Sequence, residues 1–242
     1  MKTCVFVCGS AQVTANGEAI VHAYDKAMVD AHDRAMVEAY DSATVKAHGD
    51  ARVEVYDRAE VEVHNNLTVV AHNHASCLAA NDARVDAHDS ARVWVHDKVV
   101  VEAYDNARVG ANENATVYAY DNAMVEAYGN ARVEAHDRAR MSASDCARVE
   151  AWGDVRVRAY DYVTVIAHDN VTVSAYHKAT VEVHDSAWVD AHGNAVVTAY
   201  NESYIEDFMG NIRLQSDYAI VRDFKNARIY VKKGAFEFVE VD

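Results

Sequence analysis

The chain of 242 residues contains no proline. Large aliphatic side chains are also scarce: most of the 51% hydrophobic content is alanine and valine, with only five phenylalanines. A globular core of this size needs large side chains to fill it, so the composition predicts a thin interior instead. No apolar run approaches the length that crosses a bilayer. The opening "MKTCVFVCGSAQV" has only a four-residue apolar run, too short for a secretory leader, which makes a cytoplasmic protein the expectation. Cys4, Cys8, Cys77 and Cys146 make no metal-ligand pattern, and four reduced thiols fit that compartment. Phosphate-loop, HExxH and GxSxG signatures are missing, so neither a catalytic residue nor a cofactor is expected and the chain reads as a non-enzyme.

Positive charge is short as well: 23 bases stand against 38 acids, a net −15. That balance argues against direct nucleic-acid or anionic-membrane binding. Residues 203–242 carry six bases and seven acids, so −14 of the −15 belongs to residues 1–202.

What is abundant is one octad. Framed from Thr3, 240 residues divide into 30 octads without insertion. Slot three is Val in 23 of the first 25, Cys77 and Met141 being the exceptions, and slot five is always Ala or Val. Slot one is mostly Ala. Slots two, four and six vary and are mostly polar, charged or aromatic. Slots seven and eight pair Asp, Gly or Asn with Asn, Ser, Arg or Lys. Apolar residues at slots one, three and five have period two, the mark of a half-buried strand; a helix would give them no common face. The Asp/Gly/Asn position supplies the positive φ or Asx geometry of a tight corner.

A strand so short must stack on others to bury its face. Tyr24, Tyr40 and Tyr56 recur every 16 residues, interleaved with His32, His48 and His64. That spacing predicts two octads per coil, a Tyr file on one sheet and a His file on the other. A triangular coil of three octads is the competing geometry. Fifteen coils of about 4.8 Å make a rod of roughly 70 Å. The fold class expected is all-β: a β-solenoid over 1–202, with 203–242 as a C-terminal cap that continues the stack. In that tail Arg213, Glu237, Asp207, Gln215 and Asp223 fall on inward slots. "TCVFVCGS" begins in register without a comparable cap, which raises end-to-end association.

Ten of the 13 histidines occupy slot six. Stacked about 5 Å apart, His32, His48 and His64 could share a divalent metal. Tyrosine, which cannot replace histidine on zinc, fills the same slot almost as often, so ring stacking is the preferred reading and no metal is expected. Below about pH 6 the histidine file should charge and loosen. In "ARVEVYDR", "ARVDAHDS", "ARVEAHDR" and "ARVEAWGD" an Arg at slot two precedes an acid at slot four, as surface pairing. Trp94, Trp152 and Trp188 read as tolerated surface substitutions. Rows of Thr-x-Thr are missing, which excludes ice binding.

The units "ATVYAYDNAMVEAYGN" and the tail "YVKKGAFEFVEV" resemble octapeptide-repeat proteins of bacteria and phages. The resemblance implies a β-solenoid with no assigned activity, and a phage origin would add a virion as a location. The functional expectation is a structural or binding rod whose faces engage a protein partner or further copies, end to end or laterally. The alternative is an acidic nucleic-acid mimic that inhibits a DNA-binding protein, since 70 Å is the length of roughly 20 base pairs.

Overall fold

A computed structural model describes residues 3–207, 212–214, 218–224, 228–233 and 237–240. The protein is an all-β parallel β-solenoid with a 16-residue repeat, and none of the described residues is helical. Among the described residues no helix is long and apolar enough to cross a membrane. Each octad through residue 207 forms one four-residue strand spanning slots two to five, from Cys4–Val7 to Tyr204–Asp207. The chain divides into two compact units, residues 1–124 and 125–242.

In the first unit, strands of odd octads pair only with odd ones, and even with even. Cys4–Val7 is hydrogen-bonded in parallel to Ile20–Ala23, and Gln12–Ala15 to Met28–Ala31, each pair offset by 16 residues. The two-octad coil is therefore the observed geometry, and the triangular alternative falls. We call the two layers the odd sheet and the even sheet. Val21, Val37, Val53, Val69, Val85 and Val101 stack rung on rung between the layers and are almost completely shielded from water, flanked at slots one and five mostly by alanine, with Val55, Leu67 and Val99 as the exceptions. Their alternation works because a strand turns successive side chains to opposite faces.

The corners solve the backbone accounting. At Tyr24–Ala27 the turn closes with the Ala27 N–H donating to Tyr24 O at 3.1 Å, and Asp25 takes φ 60°. Lys26 N continues the inter-coil ladder to Gly9 O at 2.9 Å, but the slot-seven N–H has no backbone acceptor. The aspartate of the following coil supplies one. Gly9 N donates to Asp25 Oδ2 at 3.0 Å, Asp25 N to Asp41, and Asp89 N to Asp105. Aspartate thus does two jobs: it tolerates the left-handed conformation, and it fills a missing rung.

The second unit repeats this architecture. Arg132–Ala135 pairs with Arg148–Ala151 in the odd sheet, and Arg140–Ala143 with Arg156–Ala159 in the even sheet. Gly129 N and Gly153 N donate to Asp145 and Asp169, both at 3.0 Å. The regularity then changes. Tyr204–Asp207 and Ile220–Asp223 keep the parallel 16-residue step, whereas Ile212–Leu214 pairs one residue early, Ile212 opposite the inward Val197. Arg213 therefore pairs with Thr198 and not with Val197, the partner that the octad frame assigns it. Arg228–Lys233 and Glu237–Glu240 turn antiparallel on the even sheet. Glu237 pairs with Lys233 on the antiparallel ladder, outside the parallel 16-residue register on which its octad slot rests. Asp207 and Asp223 are inward and buried, as the frame requires; Gln215 lies outside the described residues.

Cys77 replaces valine inside the first unit and is fully buried, while Cys4, Cys8 and Cys146 are exposed free thiols. Burial pushes the Cys77 thiol up to about 12. A charged thiol reagent on the native protein is expected to titrate the three exposed cysteines and reach the fourth only in denaturant. Four fast-reacting native thiols would contradict this packing.

Candidate functional site: aromatic ladders at the corners

Slot six sits just past the end of each strand, where a flat ring covers the coil's corner. In the first unit the odd corner holds an unbroken file: Tyr24, Tyr40, Tyr56, His72, His88, Tyr104 and Tyr120. Centroids from Tyr24 to Tyr56 are 5.1 and 4.9 Å apart, and those from His72 to Tyr104 are 5.1 and 4.9 Å. Tyr56 continues onto His72 at 4.8 Å, with planes within 6°. The file is defined by ring, not by residue type, so the pure Tyr file expected from the first third of the sequence becomes a mixed one. At the even corner His32, His48 and His64 stack at 5.1 and 6.2 Å, and the row stops at Ala80. The second unit has its own odd-corner file, His136, Trp152, His168, His184 and Tyr200, with separations from 4.6 to 5.3 Å. Trp152 is a member of that ladder, which corrects its reading as a tolerated surface substitution.

A carboxylate two residues earlier holds many of these rings. Tyr40 Oη donates to Glu38 at 2.8 Å, Tyr56 to Glu54 at 2.9 Å, and Tyr104 to Glu102 at 2.6 Å. Slots four and six lie on one face of the strand end, so the short Glu-x-Tyr spacing suffices. That motif is visible in "VEAYD" and "VEVYD", although the octad frame does not single it out. Each phenol donates to an anion, so losing its proton would leave two negative charges together. Desolvation and the Glu54 bond push Tyr56 up to about 12; the Glu102 bond, then desolvation, does the same to Tyr104. Tyr40 is pushed up by desolvation first and then by Glu38.

Histidines of the even corner also lie beside acids. His32 Nε2 lies 3.1 Å from Asp30 Oδ1, with His48 Nε2 at 3.6 Å from the same oxygen. His64 Nε2 is 3.3 Å from Glu62. His32 and His48 thus face one carboxylate oxygen of Asp30, while His64 faces Glu62. Among the described residues no group of three His, Cys, Asp or Glu side chains is arranged to hold a metal ion.

His72 carries a pH signal. Desolvation, then the neighbouring His88, lowers its pKa from 6.5, against smaller opposing pulls from Asp89 and Glu54. Because the folded form binds this proton more weakly than the unfolded chain, its contribution to stability is complete above pH 6.5. It is lost as pH falls below 6.5 toward and through the lowered folded value. His72→Tyr puts into the file a ring it already uses, and should flatten the decline in urea midpoint between about pH 7 and pH 5. An identical decline in both proteins would refute this assignment.

The other side chains with conspicuous chemistry are spread by the repeat. A shallow depression over the odd corner of the first unit is lined by Asp57, Arg58, Asn73, His74, Asp89 and Ser90. Trp94 and Trp188 are half exposed on the outer face of the even sheet, in the first and second units respectively. No family model, no curated protein and no solved structure matches the chain.

Proposed function

We propose that the protein is a non-enzymatic scaffold whose flat outer faces, and whose sheet edge at Cys4–Val7 and Gln12–Ala15, engage protein partners and further copies of the chain. As part of that proposal we group it with bacterial and phage octapeptide-repeat proteins, acting in the cytoplasm or on a virion. One observation carries the reading: the chemistry-bearing side chains are spent on holding the coil. Corner aspartates fill backbone rungs, slot-four acids hold rings, and rings stack on rings. What is left for recognition is the extended outer surface, which is how stacked repeats generally work.

The test is the association state of the purified chain, by sedimentation equilibrium from low to moderate salt, beside a capture experiment from lysate. Self-association that survives moderate salt supports the scaffold. A monomer that captures DNA-binding proteins and releases them at moderate salt overturns it in favour of nucleic-acid mimicry.

A further inference from the structure

The two outer faces of the solenoid differ in how they treat arginine. On the odd sheet, Arg52, Arg84, Arg132 and Arg148 at slot two are each followed at slot four by an acid: Glu54, Asp86, Glu134 and Glu150. Arg52 lies 3.5 Å from Glu54, and Arg84 contacts Asp86 and Glu102. On the even sheet of the first unit Arg92 and Arg108 are followed by Trp94 and Gly110 instead. Both arginines are exposed, and neither has an ion-pair partner among the described residues. Two strands before Arg92, in the same outward row, Glu60 is likewise exposed and without a partner among the described residues. An unmatched acid and an unmatched base thus flank one strand, Ser76–Ala79, on either side.

The register makes this exact to the rung. Glu60, Ser76 and Arg92 are consecutive in the slot-two row; Glu62, Leu78 and Trp94 are consecutive in the slot-four row. Leu78, 42% exposed, lies on the strand between the charges, and Trp94, 50% exposed, lies beside Arg92. Trp94 does not stand off the sheet. A Cβ on Gly110 would come within 2.2 Å of the indole Cε3, so the ring lies across the glycine on the next strand. Gly110 is a strand residue with no positive φ to serve, and its lack of a side chain makes room for the indole. The face is therefore flat, apolar in the middle, negative on one side and positive on the other.

We propose that this face of the even sheet, centred on Leu78, binds the same face of a second copy of the chain. The proposal rests on the self-association reading above and names its surface. Isologous contact requires a patch that complements itself under a two-fold rotation. A two-fold axis parallel to the strands and passing over Ser76–Ala79 lays Leu78 on Leu78 of the second copy. It sets Glu60 over Arg92 of the second copy, and Arg92 over its Glu60. Trp94 covers Glu62, whose carboxylate is held within its own chain by His64 and Lys46. Arg108 falls over Thr44 and Lys46 over Gly110, so no like charges face each other. The other face-to-face two-fold, along the stacking direction, would bring Glu60 onto Glu62 and is disfavoured. The five strands from Thr44–Ala47 to Arg108–Ala111 offer only about 24 Å by 13 Å of sheet. That is small for a specific interface, so the dimer is weak, with a dissociation constant on the order of micromolar or above.

Sedimentation equilibrium of the full chain and four variants decides the matter. The wild type should dimerise. Glu60→Arg and Arg92→Glu, both at exposed positions, should each weaken the dimer by more than about tenfold, because the symmetry places the like-charge contact twice. The two changes in one chain should restore it. A mixture of the two single variants should form a heterodimer, since each then carries the charge the other lacks. Gly110→Val, which displaces the indole, should weaken the dimer with circular dichroism unchanged. If the wild type associates and neither charge reversal alters it, this surface is wrong while the scaffold reading stands. A wild type that stays monomeric up to its solubility limit overturns this interface together with the self-association on which it rests.

Discussion

Val101→Asp is expected to cost about 5 kcal/mol or more and to melt the rungs around residue 101 while leaving the strands near residue 20 ordered. Val101 is fully buried, with Val85 and Val117 as its rung neighbours and Ala103 beside it on the strand. A carboxylate there loses its hydration and finds only methyl groups within a layer too thin to admit water. The chain itself shows the contrast. Asp207 and Asp223 are buried on adjacent rungs of the second unit, and neither is without a partner there. A stack transmits stability between nearest neighbours, so damage should be local. Hydrogen exchange should accelerate first in strands Arg84–Ala87, Val100–Ala103 and Thr116–Ala119, before strands near residue 20. An unchanged urea midpoint, or uniform acceleration along the unit, would be incompatible with a dry, nearest-neighbour interior.

The second large effect belongs to the corners. Asp105 holds φ 57° and accepts the Asp89 N–H at 3.0 Å, so its two jobs can be separated by substitution. Asp105→Gly keeps the backbone conformation and loses the acceptor, at a cost of about 1 kcal/mol. Asp105→Ala adds the left-handed penalty of about 1–2 kcal/mol, and Asp105→Val adds β-branched crowding, for a total near 3 kcal/mol. Asn tolerates the conformation and keeps an acceptor, so Asp105→Asn should be nearly neutral, helped by removing one charge from the row of Asp89, Asp105 and Asp121. Chemical denaturation should therefore rank Asn, Gly, Ala and Val in order of increasing loss. An alanine variant as stable as the asparagine variant would mean that neither job matters.

The octad frame carried the architecture because everything it depends on is local. Val at slot three, Ala at slot five and Asp at slot seven dictate strand, interior and corner within eight residues, and the Tyr24–Tyr40–Tyr56 spacing fixes the coil. Two kinds of feature escaped. The tail keeps eight-residue spacing in its letters while its backbone slips by one residue at Ile212 and reverses at Arg228–Lys233; strand direction leaves no trace in a period-two pattern. The second kind needs residues 16 apart to be read as neighbours. Trp94 and Gly110 look like separate irregularities until the even sheet sets them side by side, and then one explains the other. The Glu-x-Tyr pairs were within local reach, and were hidden by reading slot four only as a charged outward position.

The corner bonds between aspartate and slot-seven backbone run one way: a later coil's carboxylate accepts an earlier coil's N–H. On a ribosome the chain emerges in that same order, at roughly 5–20 residues per second. Sixteen residues, the next turn, therefore arrive within about 1–3 s and close the rung left open on the turn before. Synthesis and folding run in step wherever the next turn brings an aspartate to slot seven; where it brings Gly49, Gly153 or Gly193, no side chain is there to reach back.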